Sequence, residues 1–338
     1  IIPSFRVDIA RMCDLAEEVA RMYGYDKIPS TLMNSAVVVG GKTFKQKIED
    51  EVKNALTSFG LSEIMTYSFI DPKEYALTNI EMGDVIRITN PLGEENSVMR
   101  TMTLSSMLKI LRVNYNRFRD AAELFELATI YIPTEKGKLP EEKQVISIGM
   151  YGDADFYKLK GIVEALLDKL GIRKYSFRPQ SANPSYHPGR CAEVYIGDKK
   201  LGVIGEVHPE VAENFKIDAD VYCAELDFNT ILNSATFDKH YKALPKFPAT
   251  SRDIAMVLDK AVNVGEIEKI IEKNRSNIVE SYKLFDIYEG SQVGDGKKSV
   301  AYSITFRAAD RTLTDDEVNA VMSKILESLK SELNAQLR

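Results

Sequence analysis

Four carboxylate side chains, at Asp8, Asp14, Glu17 and Glu18, form an acidic cluster near the start of the sequence. The spacing of Asp14 and Glu17 is typical of a helix start, in which Asp14 is the N-cap residue and Glu17 reaches back to it. On this interpretation the acids favour the positive end of a helix, and Glu17 pairs with Arg21 one turn later. The alternative is a site for a hard cation, because Mg²⁺ binds carboxylate oxygens. The spacing alone leaves both interpretations open.

No other group of residues has the pattern of a catalytic site. His187 and His208 each precede a proline, as in a turn, and His240 lies in a predicted linker, without a cysteine or carboxylate at metal-ligand spacing. The three cysteines form no C-x-x-C pair, which indicates free thiols in a reducing compartment and favours a cytoplasmic location. The phosphate-binding string G-x-x-x-x-G-K-[ST] is absent. We therefore predict that this chain has no catalytic residue.

The composition is that of a globular protein with more than one domain. Of the 338 residues, 44% are hydrophobic and 28% are charged. Residues 239–338 have 16 basic and 15 acidic side chains, a net charge of +1, so the first 238 residues carry −7 and the whole chain −6. Neither part has the strongly basic balance of a protein that binds nucleic acid by bulk charge, so any RNA contact must be local. No apolar run approaches the roughly 20 residues of a membrane-spanning helix, and no membrane association is expected.

The last ninety residues alternate between strand and helix patterns in the order of a ferredoxin-like βαββαβ fold. The predicted strands are 252–258, 279–289, 298–307 and 335–338. Glycines between the second and third strands indicate a hairpin. Apolar residues at helical spacing predict a helix over 265–273 and a longer one that opens at Thr312–Thr314. This fold is a common platform for binding, so its function depends on the side chains that it displays.

The middle of the chain mixes helices with clustered strands, as in an α+β domain around an antiparallel sheet. An amphipathic helix over 44–61 precedes predicted strands over 64–70 and 85–89. The further predicted elements are a helix over 107–115, strands over 122–132 and 145–151, a helix over 157–170, and strands over 191–196, 201–206 and 222–226. Arg190 and Glu206 are predicted to pair across neighbouring strands in a structural role.

Several strings in these segments resemble one protein family. In the last ninety residues they are Phe247-Pro248-Ala249-Thr250-Ser251-Arg252-Asp253, Leu284-Phe285-Asp286-Ile287-Tyr288 and Phe306-Arg307-Ala308-Ala309-Asp310-Arg311-Thr312. In the middle they are Asn90-Pro91-Leu92, Met99-Arg100-Thr101 and Leu124-Phe125-Glu126-Leu127, and at the start Phe5-Arg6-Val7-Asp8 and Tyr23-Gly24-Tyr25-Asp26. Together they resemble the C-terminal portion of the bacterial phenylalanine–tRNA ligase (phenylalanyl-tRNA synthetase) β subunit.

The resemblance implies four segments. Residues 1–30 would be the end of a small DNA-binding-like domain, 31–238 a catalytically inactive class II synthetase-like domain, 239–246 a linker, and 247–338 a ferredoxin-fold anticodon-binding domain. The strands around 114–132 would correspond to the second motif of the class. An ATP site of this class also needs a glycine-rich third motif, which is missing, so the chain is expected to be inactive alone. Because it opens without Met in the middle of a domain, we expect it to be a piece of a longer protein.

The resemblance also implies partners and cofactors. The α subunit would activate phenylalanine with ATP, while this chain would scaffold an α₂β₂ heterotetramer and bind tRNA(Phe) without binding ATP. The acidic cluster would hold a Mg²⁺ at the contact with α. The helix over 44–59 and the strand that leads to Pro91 would lie at or near a subunit interface. Without α, an uncovered apolar patch is expected to cause self-association.

Recognition of tRNA by the last domain would use exposed cationic and aromatic side chains at sheet edges and loops. The candidates are Arg252, Arg307, Lys297, Lys298, Arg311 and Tyr288. Arg252 and Arg311 have an alternative role in ion pairs with Asp253, Asp286 or Asp310. The two lysines have an alternative role as solvated residues of the predicted hairpin.

A different function for the last domain is a stand-alone RNA-binding module that stacks bases on aromatic residues of its central strands. The sequence disfavours this alternative. Val300, Tyr302, Ile304 and Phe306 share one face of a predicted strand, as core residues would. The opposite face offers small polar residues in place of an aromatic platform.

Overall fold

The computed structural model describes residues 1–37, 39–135, 137–241, 243–290 and 292–338. The chain divides into two compact units, residues 1–238 and residues 239–338. Both are α+β, which confirms the predicted fold class. In the ranges given above, no helix is long and apolar enough to cross a membrane.

The first helix, α1 (Met12–Tyr23), begins before the predicted N-cap residue. Asp14 is the third residue of the helix, and its carboxylate accepts the backbone N–H of the N-cap residue, Arg11, at 2.7 Å. The prediction of Asp14 as the N-cap was wrong, because a carboxylate at this third position closes the first turn equally well from inside the helix. Gly24, with a φ of 104°, ends the helix as predicted. None of the twelve residues of α1 is buried.

A seven-stranded sheet is the centre of the first unit. The strands of this unit are β1 (Ser62–Glu63), β2 (Phe69–Ile70), β3 (Val98–Met99), β4 (Ala122–Ile132), β5 (Glu141–Tyr151), β6 (Tyr175–Pro179), β7 (Tyr186–Ile196), β8 (Lys199–Val207) and β9 (Val221–Asp227). The large sheet has the order β1-β4-β5-β9-β8-β7-β6, and only its β1–β4 pair is parallel. Strands β2 and β3 form a separate antiparallel pair.

Helices cover both faces of the large sheet. They are α2 (Phe44–Ser58), α3 (Lys73–Leu77), α4 (Leu104–Asn116), α5 (Phe156–Lys169), α6 (Pro209–Asn214) and α7 (Phe228–Ser234). Neighbouring residues of a strand point to opposite faces. Accordingly, Phe125 and Ala224 pack in one core with α2, α5 and α7, whereas Leu124 and Cys223 pack in a second core with α4.

Helix α2 shows why the amphipathic pattern predicted it correctly. Ile48, Val52 and Leu56 lie one turn apart and are fully buried. Burial of each such side chain contributes roughly 1.5–3 kcal/mol of transfer free energy. Thr43 and Gln46 cap the first turn reciprocally, which fixes the start of the helix.

The second unit has the predicted ferredoxin-like order. Its elements are β10 (Thr250–Asp259), α8 (Val264–Lys273), β11 (Val279–Tyr288), β12 (Lys297–Phe306), α9 (Asp315–Leu333) and β13 (Gln336–Leu337). The sheet order is β11-β12-β10-β13, so the first and third strands are central. Val300, Tyr302, Ile304 and Phe306 are fully buried in one core with residues of α8 and α9, as their alternation predicted.

Several local predictions were wrong where the chain pairs over long distances. Of the predicted strand 64–70 only Phe69 and Ile70 belong to a strand, because this segment leaves the large sheet to pair with β3. The predicted strand 85–89 is reduced to one bridge, between Arg87 and Val98. Residues 114–116 end helix α4, so the antiparallel pair in this region is β4 with β5. The edge strand β6 was missed, because it is short and ends in proline.

Candidate functional site

Arg6 binds two members of the acidic cluster. Its guanidinium donates to both oxygens of Asp8, at 3.0 and 2.7 Å, and to Oε1 of Glu18 at 2.6 Å. Arg21 donates to the other carboxylate oxygen of Glu18, also at 2.6 Å. The predicted pair of Glu17 with Arg21 was therefore wrong. Arg21 binds the acid one residue later, three positions away on the helix.

The other two acids of the cluster are arranged differently. The Asp14 Oδ2 atom accepts backbone N–H groups from Ala10 and Arg11, at 2.8 and 2.7 Å. Glu17 is exposed and has no hydrogen bond or ion pair with any residue that the structure describes. The cluster thus combines one helix-capping acid, two acids bound to arginine, and one acid directed to solvent.

Hydrogen bonding holds three of these acids in the charged form. The Arg6 and Arg21 hydrogen bonds lower the pKa of Glu18 to about 2, and the Arg6 hydrogen bond lowers the pKa of Asp8. The backbone N–H groups of Arg11 and Ala10 lower the pKa of Asp14. Mutual repulsion of the four acids would raise their pKa values without a basic partner, and for Asp8 and Glu18 the arginines supply that partner.

The cluster has the right donor atoms for Mg²⁺ but not the right arrangement in this chain alone. Among the described residues, no three His, Cys, Asp or Glu side chains are grouped so that they could hold a metal ion. Both oxygens of Asp8 and both oxygens of Glu18 already accept from guanidinium groups. A cation at Asp8 or Glu18 would compete with Arg6 for these oxygens.

Three of the predicted tRNA-binding residues are ion-paired, two of them with acids in the first turn of α9. Arg252 binds Asp315 at 2.5 Å, and Arg311 binds Asp310 and Glu317. Arg307 donates to Glu280 at 3.0 Å and to the Phe247 carbonyl at 2.7 Å. Carboxylates therefore neutralise the charges of all three arginines locally. Only Asp310 is a partner that we predicted, whereas Asp315, Glu317 and Glu280 were not.

The other three candidates lie at the opposite end of the sheet. Lys297 is the register partner of Asp259, and Tyr288 is the register partner of Ser299. Arg252 and Asp259 are seven residues apart on β10, which corresponds to about 23 Å along a strand. Within the described part of the chain, Lys297 and Lys298 form no ion pair. The structure therefore separates the six candidates into three paired arginines and a second group of two unpaired lysines with Tyr288.

A buried polar network lies beside the extended segment that follows β1. Arg100 and Glu126 are only 2% and 5% exposed. The Arg100 guanidinium donates to the Thr129 carbonyl at 2.9 Å, to Thr66 Oγ1 at 2.6 Å and, more weakly, to Glu126 at 3.5 Å. Thr66 in turn donates its N–H and hydroxyl to the two carboxylate oxygens of Glu126. The network ties this segment to β4, and nothing in the sequence pattern indicated it.

The same segment displays an apolar stripe on its outer side, formed by Met65, Tyr67 and Phe69. Met65 and Tyr67 are 92% and 80% exposed, and Phe69 is also exposed. The alternating residue Thr66 points inward to the network, so the extended backbone turns every second side chain outward. The sequence already showed that large apolar residues alternate with others in this segment. Only the structure shows that Met65, Tyr67 and Phe69 are the residues that face solvent.

Two of the histidines and the face of the large sheet over Gly149 have local structural contacts. The Nδ1 atom of His187 accepts the N–H of Gly189, and that of His208 accepts the N–H of Glu210 at the start of α6. Arg190 and Glu206 pair across β7 and β8, as predicted. Over the sheet, a methyl group added at Gly149 would overlap the side chain of Met107 on α4. The centre of that sheet face is therefore filled by protein.

Comparisons with known proteins agree with this architecture. The model of the phenylalanyl tRNA synthetase beta chain CLM domain matches residues 28–228, the ferredoxin-fold anticodon binding domain matches residues 245–338, and the tRNA synthetase B5 domain matches residues 1–25. A solved pyrrolysyl tRNA synthetase from Desulfitobacterium hafniense aligns over 65% of this chain and 74% of its own, with a TM-score of 0.47 and 15% identity. That likeness is too remote to carry an argument.

Curated relatives match the whole of this chain but extend well beyond it. The phenylalanine–tRNA ligase beta subunit of Clostridium tetani is 46% identical over 100% of this chain and 43% of its own length. That of Clostridium acetobutylicum is 45% identical over 99% of this chain and 43% of its own. The chain thus spans less than half the length of these relatives. Because the CLM-domain model alone matches more than half of its residues, the chain belongs to the phenylalanyl-tRNA synthetase beta chain family.

Proposed function

We propose that this chain is part of the β subunit of a phenylalanine–tRNA ligase and scaffolds the enzyme without doing chemistry. The supporting observation is a beta chain CLM domain over 28–228 followed, after sixteen residues, by an anticodon-binding domain over 245–338. In this proposal the enzyme is a cytoplasmic α₂β₂ heterotetramer. Its α subunit binds ATP and activates phenylalanine, and tRNA(Phe) contacts this chain. The filled sheet face over Gly149 is consistent with a fold kept for packing.

The apolar stripe supports a docking surface for the α subunit. Met65, Tyr67 and Phe69 lie between the helix over 44–59 and the strand over 85–89, the two elements for which we expected an interface, and their apolar surface is open to solvent. The buried network through Thr66 and Arg100 holds the segment in place before a partner binds. When the chain is isolated, the same stripe is the expected cause of self-association.

The acidic cluster is proposed to hold a Mg²⁺ shared with α, in the assembled enzyme only. Asp8, Asp14, Glu17 and Glu18 supply hard oxygen donors, but the first and last of them are bound to arginine in this chain. The ion would provide a divalent charge that links carboxylates of this chain to groups of α. Asp14 keeps its helix-capping role through Oδ2, and its Oδ1 accepts only the Cys13 thiol, at 3.5 Å.

The second unit is proposed to bind tRNA through side chains at the two ends of its sheet. The unpaired Lys297 and Lys298 are available to phosphates without loss of an ion pair, whereas Arg252, Arg307 and Arg311 would have to exchange carboxylates for phosphates. A stand-alone module that stacks bases on its central strands is not supported, because Tyr302 and Phe306 are fully buried.

The proposal of a non-catalytic subunit is tested by phenylalanine-dependent ATP–pyrophosphate exchange with the purified chain. We expect no exchange above the level without enzyme, at any Mg²⁺ concentration. Calorimetric titration with ATP should likewise give no heat of binding at micromolar concentrations. Exchange or ATP binding by this chain alone would show that it contains an active site and would overturn the proposal.

A further inference from the structure

We infer that Arg6 is an internal counter-ion that keeps divalent cations out of the acidic cluster in the isolated chain. The inference rests on the proposed shared metal site and names the residue of this chain that controls its occupancy. Arg6 and the cation are alternatives, so the cluster accepts a metal only after the guanidinium has moved away.

The geometry of Arg6 carries this inference. Its Nη2 atom lies 2.7 Å from Asp8 Oδ2 and 2.6 Å from Glu18 Oε1, so one nitrogen bridges two acids that are ten residues apart. A second nitrogen, Nε, binds the remaining oxygen of Asp8. The guanidinium therefore lies where a cation bridging these two carboxylates would have to lie.

Arg6 also connects α1 to the segment before it. Glu18 lies on the second turn of the helix, and Arg6 lies in a turn closed by its own N–H to the Pro3 carbonyl. Both Arg6 and Glu18 are partly shielded from solvent, at 29% and 27% side-chain exposure, whereas Asp8 is 63% exposed. Displacement of Arg6 thus frees the carboxylates and removes one tie between this segment and the helix, while the bonds of Ala10 and Arg11 to Asp14 remain.

The repulsion between the guanidinium and a divalent ion sets the size of the effect. A unit charge about 5 Å from a doubly charged ion in water weakens binding by roughly an order of magnitude, by Coulomb's law. The competition for the same oxygen atoms adds to this factor. Removal of Arg6 should therefore strengthen Mg²⁺ binding by at least about tenfold.

The experiment is a calorimetric titration of the full 338-residue chain with MgCl₂ at constant ionic strength. Arg6→Gln should bind Mg²⁺ at least about tenfold more tightly than the unchanged chain. Arg11→Gln is the matched control, since it removes the same charge nearby from a side chain that forms no ion pair among the described residues. The Arg6→Lys variant should bind Mg²⁺ as weakly as the unchanged chain, because lysine keeps the positive charge. Circular dichroism checks that α1 is retained in each variant.

The outcomes separate this inference from the proposed metal site. The role of Arg6 is overturned if Arg6→Gln and Arg11→Gln have equal Mg²⁺ affinity while α1 is intact. This holds whether both variants bind Mg²⁺ or neither does. The shared site is measured separately, as the Mg²⁺ dependence of association between the unchanged chain and α. That association can depend on Mg²⁺ even if Arg6 has no effect on the metal. Failure of the inference about Arg6 therefore does not imply failure of the proposed shared site. Loss of tight binding in Arg6→Gln with Asp8→Asn would confirm that the released carboxylate is the ligand.

Discussion

Replacement of Arg100 by glutamine should destabilise the first unit by about 3 kcal/mol. The Arg100 and Glu126 side chains are 2% and 7% exposed, so the substitution leaves a buried carboxylate without its cation. Removal of one partner of such a pair costs roughly 3–5 kcal/mol. The lower end applies here, because Thr66 keeps two hydrogen bonds to Glu126, at 2.9 and 2.7 Å. The Arg100 hydrogen bond to the Thr129 carbonyl is lost as well.

The assay is urea unfolding followed by hydrogen exchange and mass spectrometry, which reports on the two units separately. Lys53→Gln is the control in the same unit, since it breaks the exposed pair with Glu63 and should cost about 1 kcal/mol or less. Arg100→Gln combined with Glu126→Gln should recover part of the lost stability, because no unpaired charge remains buried. If Arg100→Gln costs no more than Lys53→Gln, the buried network does not hold the segment that carries the apolar stripe, and that reasoning is refuted.

Three further predictions concern the sheet, the acidic cluster and tRNA. Gly149→Val should destabilise the first unit by about 1–3 kcal/mol through overlap with Met107, and an unchanged melting temperature would mean that α4 does not fill that face. The Glu18 pKa of about 2 is below its ordinary value of 4.5, so its stabilisation of α1 should be complete above about pH 4.5 and lost as the pH falls toward 2. If the helix signals of α1 depend on pH in the Glu18→Gln variant as much as in the unchanged chain, this assignment is contradicted. In the assembled enzyme, Lys297→Ala with Lys298→Ala should weaken tRNA binding more than Arg252→Ala with Arg307→Ala and should lower the salt slope by about 2, because only the lysines lack intramolecular partners. A larger loss from the arginine pair in filter-binding assays would show that their ion pairs open on tRNA.

The sequence predicted elements whose signal is local. Helix α2 and strand β4 were found where the 3.6- and 2-residue periods placed them, and α9 begins directly after the predicted opening at Thr312–Thr314. The ferredoxin-like order was recovered because each of its elements is amphipathic on its own. These features depend on residues within one or two turns of each other.

Features that depend on distant residues were missed. The edge strand β6 and the path of the segment after β1 are set by pairing partners far along the chain. The bond from Arg6 to Glu18 spans twelve residues, and spacing rules within a helix gave Arg21 the wrong partner, Glu17. The separation of the tRNA candidates into two groups follows from strand register, which the sequence does not specify.

The most direct test of the scaffold role is sedimentation of a mixture of this chain with the phenylalanine–tRNA ligase α subunit from the same source. The account predicts one complex with equal numbers of the two chains, and its loss when Met65→Ser and Tyr67→Ser replace the exposed apolar stripe. A control with Leu139→Ser, another exposed apolar residue of the first unit, should still form the complex. Separate sedimentation of the unchanged chain and α, or a complex that is indifferent to the stripe, would contradict the account.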